Sequence, residues 1–341
     1  MKQSSSIILL TDLFRGSYNI IGKLYESVFS KINCNVVHLS TPETTEEKTR
    51  LSNKYSNSIF IHTTLGDSFI PIENNYNIAI PFHEWSRYPS SWIKLLEKYD
   101  QIWATSDHIK NVLINSGLTK CVEFCPPPLD FKNIEQKDNW ENSETTRFLF
   151  VGESHFRKGN HLLIDGFMKA FPDIGTAQLT IKTNTACVWA SPREDIVLIK
   201  DKWDKQRLMD EYSKHDCFVS ASLAEGLGLP IAEAIRANLP ICTNYWGGHT
   251  SLVTNEGYIE IDHDEVIQPF TSNPKYYSAD QKCAYSSPDR IKKALLRFLK
   301  LSPSEKQTMT STASNFLDKN YGAISSTGKI TDCIKNATLC V

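Results

Sequence analysis

The 341-residue chain lacks a surplus of either charge: 37 Lys and Arg stand against 39 Asp and Glu, a formal net charge of −2. Nucleic-acid binders carry a basic surplus, so no nucleic-acid partner is expected. No apolar run approaches the roughly 18–20 residues of a membrane span, and mean hydropathy is −0.33. No basic amphipathic helix stands out, so membrane contact is expected to be peripheral at most. The opening MKQSSSIILLTDLF has only four consecutive strongly apolar residues before Thr11 and Asp12. That is too short for a signal-peptide core and suits a first buried strand. Nine cysteines occur without a CxxC pair. Cys121 and Cys125 have no second ligand pair nearby, so no zinc site is expected. The odd count and the apolar settings DCFVSAS and LPICT fit buried thiols in a reducing, cytoplasmic compartment. No G-x-G-x-x-G follows a strand, which argues against a nucleotide-dependent oxidoreductase.

What is present is alternation. Strands are expected at 6–12, 34–40, 58–64, 77–82 and 100–106, where short runs rich in Ile, Val and Phe occur. Tyr18, Ile21, Leu24, Tyr25, Val28, Phe29 and Ile32 recur at three- and four-residue steps and predict a helix between the first two strands. Ser106 is an N-cap residue type and predicts another helix after it. From Pro126 to Glu144 the rhythm breaks: three prolines lead into the polar stretch KNIEQKDNWENSETT, the composition of a linker. Alternation restarts with strands at 147–152, 177–183, 195–200, 216–222 and 239–243, and helices are expected around HLLIDGFMKAF and near 204–214, 230–237, 291–299, 304–318 and 324–338. The fold class is therefore α/β with two tandem doubly wound, Rossmann-like domains. The expected divisions are an N-terminal Rossmann-like domain at 1–128, a linker at 129–145, a C-terminal Rossmann-like domain at 146–318, and a C-terminal helix at 319–341 packing back on the first domain. In such sheets ligands bind beyond the carboxyl ends of strands, and with two domains the cleft between them is the expected site.

The richest stretch is SASLAEGLGLPIAEAIRANLPICTNYWGG, residues 220–248. A strand ends near Ser222, and the turn Glu225-Gly226-Leu227-Gly228-Leu229-Pro230 enters a helix. Pro230 suits a first helical position. Gly226 and Gly228 allow close approach of a ligand, and the helix start offers N–H groups to a phosphate. Glu225 and Glu233 are acceptor-only carboxylates placed to grip sugar hydroxyls. Asn238 at the helix end tolerates a left-handed conformation.

These residues resemble retaining glycosyltransferases of the GT-B fold, in particular glycosyltransferase family 4. That family carries an acidic pair with seven residues between, as Glu225 and Glu233 have here. The resemblance implies that Glu225 lies by the transferred sugar and that Glu233 binds the nucleotide ribose. Residues 151–167, VGESHFRKGNHLLIDGF, are similar to the family's diphosphate-clasping segment. Gly152 ends the strand and Lys158 matches the family lysine. The family arginine is replaced by Glu153; either Arg157 substitutes or one cation is missing.

In the N-terminal half, Gly16 fits both the family's close-approach glycine and a plain turn. NIAIPFHEWSRYPSSW resembles the family's strand-then-histidine segment. His83 matches the histidine beside the transferred sugar; without the resemblance it reads equally as a capping histidine. Glu84 and Arg87 are rim candidates for gripping an acceptor, and Trp85 and Tyr88 suit either a sugar face or core packing. Gly247-Gly248 resembles the family's glycine pair, with His249, Thr250 and Ser251 where a glutamate is usual. Asp262-His263-Asp264 spells D-x-D but reads as a solvated turn, so no metal is expected.

The resemblance implies sugar transfer from a nucleotide diphosphate sugar to a hydroxyl of a glycan or other acceptor, with retention and without metal or other cofactor. Glu225 and His83 would be catalytic. Lys158, Arg157, Glu233, Gly226, Leu227, Gly228, Leu229, Gly16 and Gly152 would hold the donor. The alternative is a non-catalytic sugar-nucleotide-binding subunit, favoured by Glu153 and opposed by the joint retention of Glu225, Lys158, Glu233 and His83. Sequence leaves the sugar, base, acceptor and oligomeric state open.

Overall fold

Short apolar runs make the two sheets, and their central strands are the most buried. The computed structural model describes residues 6–12, 16–131, 134–141, 143–184, 193–269 and 278–338. The chain divides into two compact units, and it passes between them at 129–130, 268–269, 281–282 and 319–320. Leu13, Phe14, Arg15, Cys187 and Cys340 lie outside the described residues.

In the first unit the order is β1 (Ile7–Thr11), α1 (Gly16–Lys31), β2 (Val36–Ser40), α2 (Thr45–Lys54), β3 (Ile59–Thr63), β4 (Tyr76–Ala79), α3 (Ser90–Leu96), β5 (Gln101–Ala104), α4 (Asp107–Asn115) and β6 (Val122–Phe124). All strands run parallel in the order β2-β1-β3-β4-β5-β6. β1 and β3 are buried at every position, as expected of strands covered on both faces. Ser106 caps α4 as expected, accepting from the Ile109 N–H at 3.2 Å. Thr44 and Glu47 form a capping box that starts α2, a helix the periodicity did not show because it buries no residue.

In the second unit the order is β7 (Thr146–Val151), α5 (Asn160–Ala170), β8 (Ala177–Lys182), β9 (Ile196–Ile199), α6 (Lys205–Tyr212), β10 (Cys217–Ser220), α7 (Leu229–Arg236), β11 (Ile241–Thr243), β12 (Ile259–Glu260), a hairpin of β13 (Asp264–Ile267) and β14 (Lys282–Tyr285), α8 (Pro288–Leu299) and α9 (Pro303–Tyr321). The sheet order is β12-β11-β10-β7-β8-β9, all parallel. Its core is aromatic: Phe148 lies within 6.3 Å of Phe167 and 5.7 Å of Phe171 and Phe298, centroid to centroid. Gly166 lets α5 cross α8 closely, because a Cβ there would lie 2.6 Å from the Ile291 side chain.

The stretch read as a linker is tied down. Lys137 donates its backbone N–H to the Ala237 carbonyl and pairs its ammonium with Asp216 at 3.2 Å, and Trp140 donates its indole N–H to the Asn238 carbonyl. The described residues of 130–145 thus belong to the second unit, because the end of α7 leaves carbonyls that Lys137 and Trp140 satisfy. Residues 269 and 278–281, assigned from sequence to the second domain, belong to the first unit. So does α10 (Ala323–Thr338), entered through Tyr321, whose hydroxyl donates to the Thr105 carbonyl. Asp264 opens β13 and is held by Arg290 at 2.9 Å, so the D-x-D triplet runs into a strand. Among the described residues no helix is long and apolar enough to cross a membrane. Five of the nine cysteines are buried free thiols, Cys34 is half-buried and Cys121 exposed.

Candidate active site

In the second sheet the chain leaves β7 to one side for β8 and β9, then returns to the other for β10. The loops after β7 and β10 therefore flank a topological switch point, where open α/β sheets hold ligands. They are stitched together. The Arg157 carbonyl accepts from the Leu223 N–H at 2.7 Å and from the Ser222 hydroxyl at 3.2 Å. Gly159 has φ 68°, and a Cβ there would lie 2.1 Å from the Ala221 carbonyl oxygen. No other residue fits both demands.

That stitching brings Lys158 onto Glu225. The ammonium lies 2.6 Å from Oε1, and the Arg157 guanidinium reaches Oε2 at 3.5 Å and the Ala224 carbonyl at 2.6 Å. Glu225 is 8% exposed. Burial alone would raise its pKa, but the Lys158 and Arg157 charges outweigh it and hold the carboxyl down to about 2. Arg157 thus grips the loop that carries the glutamate. Glu153 is exposed and accepts weakly from the Asn184 amide at 3.4 Å.

A second brace comes from 247–249. The Gly248 N–H donates to the Glu225 carbonyl at 2.6 Å. A Cβ on Gly248 would lie 1.7 Å from the Gly226 carbonyl oxygen, and one on Gly228, which has φ 85°, 2.8 Å from the His249 Cβ. Gly248→Ala is therefore expected to cost about 1–3 kcal/mol through overpacking against backbone. Urea unfolding measures it, and wild-type stability would contradict this packing. His249 is fully buried, its ring bonded to the Asn244 carbonyl at 2.7 Å, and burial lowers its pKa. Gly228 caps α7 with Pro230 in the first turn. The N–H groups of Leu227, Gly228 and Leu229 take no partner among the described residues, so the turn offers donors at a helix start. At the other end Asn238 has φ 55°, the left-handed state its residue type allows.

Glu233 lies inside α7 and is 7% exposed. Its Oε2 accepts from the Tyr212 hydroxyl at 2.8 Å. Burial pushes its pKa up to about 7. Two neighbours had little signal in the sequence. Lys182, ending β8, is 4% exposed and donates to the Thr183 carbonyl and the Asn184 side chain; burial lowers its pKa. A lysine closing an apolar strand was its only mark. Tyr212 had none.

In the first unit Gly16 opens α1, and among the described residues nothing lies within 4 Å of where its Cβ would stand. Gly152 follows β7, where a Cβ would meet the Phe150 ring at 2.9 Å. His83, beyond the end of β4, is 4% exposed, with Nε2 at 2.6 Å from the Arg87 carbonyl. Its ring packs edge-on against Tyr88 and Trp92. Glu84 is half-buried; Arg87 is exposed and pairs with Asp280. Trp85 and Tyr88 are 2% and 1% exposed, so of their two readings, sugar face and core packing, burial favours core packing for both.

Solved structures match over essentially the whole chain. Sucrose-phosphate synthase from Thermosynechococcus elongatus superposes with a TM-score of 0.72 at 12% identity, covering 99% of this chain and 100% of that one. A trehalose-6-phosphate structure from E. coli, bound with UDP-2-fluoro glucose, gives 0.68 at 10% identity, covering 98% and 99%. The chain has the GT-B fold. A glycosyltransferase from Rickettsia africae matches the same GT-B architecture at 0.64 and 13% identity, again covering 98% and 99%. No protein-family model and no curated protein sequence matches the chain.

Proposed function

We propose that this GT-B chain transfers a sugar from a nucleotide diphosphate sugar to an acceptor hydroxyl, with retention of configuration and without a metal. The observation that carries this reading is the Lys158–Glu225 pair, held at the switch point beside the donor-rich turn into α7. A GT-B structure solved with UDP-2-fluoro glucose supports the donor class.

The chemistry follows from charge. Cleaving the bond between the anomeric carbon and the diphosphate oxygen puts positive charge on the sugar and negative charge on the leaving group. Lys158, Arg157 and the N–H groups of Leu227 to Leu229 oppose the negative charge, each such donor supplying roughly 3–4 kcal/mol by analogy with oxyanion-hole deletions. In the resting chain Lys158 is neutralised by Glu225. A bound diphosphate competes for the ammonium and frees the carboxylate to accept sugar hydroxyls. Glu233 takes the ribose hydroxyls, and His83 serves the anomeric side. The acceptor oxygen bonds to the anomeric carbon on the face the diphosphate leaves, and its proton passes to the departing phosphate oxygen. The neutralising work falls to side chains and amides, so turnover is expected to be unchanged by EDTA.

The test is incubation with a panel of nucleotide sugars and candidate acceptors, following nucleotide release and product anomer. Donor-dependent release with a retained anomer is expected. Binding without release from any donor would show a non-catalytic subunit, and inhibition by EDTA would overturn metal independence.

A further inference from the structure

His83 is gripped from the far end of the sequence. The turn at 278–281 belongs to the first unit, although 198 positions separate Gln281 from His83. Gln281 is fully buried. Its amide nitrogen donates to the Arg87 carbonyl at 2.8 Å and sits 3.2 Å from His83 Nε2, which bonds the same carbonyl at 2.6 Å. Its amide oxygen accepts from the Ser278 N–H at 3.0 Å, which fixes the amide's orientation. One residue before, Asp280 pairs with the Arg87 guanidinium and accepts from the Ser278 hydroxyl at 2.6 Å.

A carbonyl only accepts, so both nitrogens beside it carry a proton. The close approach of Gln281 and His83 is then two donors sharing the two lone pairs of Arg87. His83 is thereby held as the Nε2–H tautomer. If the amide left, the carbonyl would keep one partner and the loop from His83 to Arg87 would lose its buried anchor.

We infer that Gln281 is a positioning residue for His83, fixing the ring's orientation and tautomer through the Arg87 carbonyl. This rests on the catalytic role given to His83 above. It places a determinant of the reaction in the turn at 278–281, just before β14.

The experiment uses the full chain labelled with 15N-histidine, as wild type, Gln281→Leu and Gln281→Glu, with His83→Asn to assign the ring signals. Wild type is expected to show His83 as a single Nε2–H tautomer. Gln281→Leu should draw the two ring nitrogen shifts together as tautomers mix. Gln281→Glu, of the same shape, should move them at pH 7 toward those of the charged ring. In turnover, Gln281→Leu should lower kcat about tenfold with donor KM within twofold, and should have no further effect on kcat in the His83→Asn background. Unchanged ring shifts in both variants, or an equal loss in that background, would overturn the inference. If wild type releases no nucleotide, the transferase reading falls while the ring shifts still decide the role of Gln281.

Discussion

Glu225→Ala is expected to reduce nucleotide-sugar turnover by about a thousandfold, the scale of losing a directly placed polar group from a preorganised site. It should also destabilise the protein by ~3 kcal/mol at pH 7, because Lys158 and Arg157 are left facing each other without their partner. The pH dependence separates the two effects. The folded-state pKa of Glu225 is depressed to about 2 from 4.5, so its stabilisation is present above pH 4.5 and lost as pH falls toward 2. Urea melts of wild type and variant should differ at pH 7 and converge near pH 2. Glu225→Gln keeps the shape and removes the charge. It should lose most of the activity and most of the stability difference. Wild-type turnover in either variant would remove Glu225 from the mechanism.

Glu233→Gln is expected to act in opposite directions on stability and on donor binding. Burial raises the folded pKa of Glu233 from 4.5 to about 7. Its favourable contribution is therefore complete below pH 4.5 and is lost as pH rises through 7. Glutamine mimics the protonated side chain. The variant should match wild type at pH 4 and exceed it at pH 8 by up to ~3 kcal/mol. A charge-assisted bond to a ribose hydroxyl is worth about 1.5–3 kcal/mol, so donor KM should rise about 10–100-fold. Calorimetric melts across pH and donor titrations measure both. A stability gain with unchanged donor KM would show a buried carboxylate with no ligand to hold.

Much of this was legible because local chemistry and global fold agree. The apolar runs of β1, β3 and β7, the Ser106 cap and the glycine-bearing turn before α7 each announce their structure over a few residues. Asn238 announces its left-handed backbone in the same way. Contacts over long separations were not legible. Lys158 and Glu225 are 67 positions apart, and their pairing depends on the strand order that sets β7 beside β10. Trp85 reads equally as a sugar platform or as core, and only burial decides for core. Glu233 reads as a free ribose ligand, yet Tyr212 already holds one oxygen, a partner 21 positions away on another helix. The question raised by Glu153 has a geometric answer in part: Glu153 meets the Asn184 amide, and Arg157 reaches Glu225 and the loop that carries it.

The central claim is that the diphosphate of the donor is bound by Lys158 and by the turn from Gly226 to Leu229. Its most direct measurement is a crystal structure with an intact nucleotide diphosphate sugar. The account predicts phosphate oxygens within hydrogen-bond distance of the Lys158 ammonium and the Leu227–Leu229 amides, with Glu225 on the sugar. A donor bound elsewhere, with the Lys158–Glu225 pair undisturbed, would contradict it.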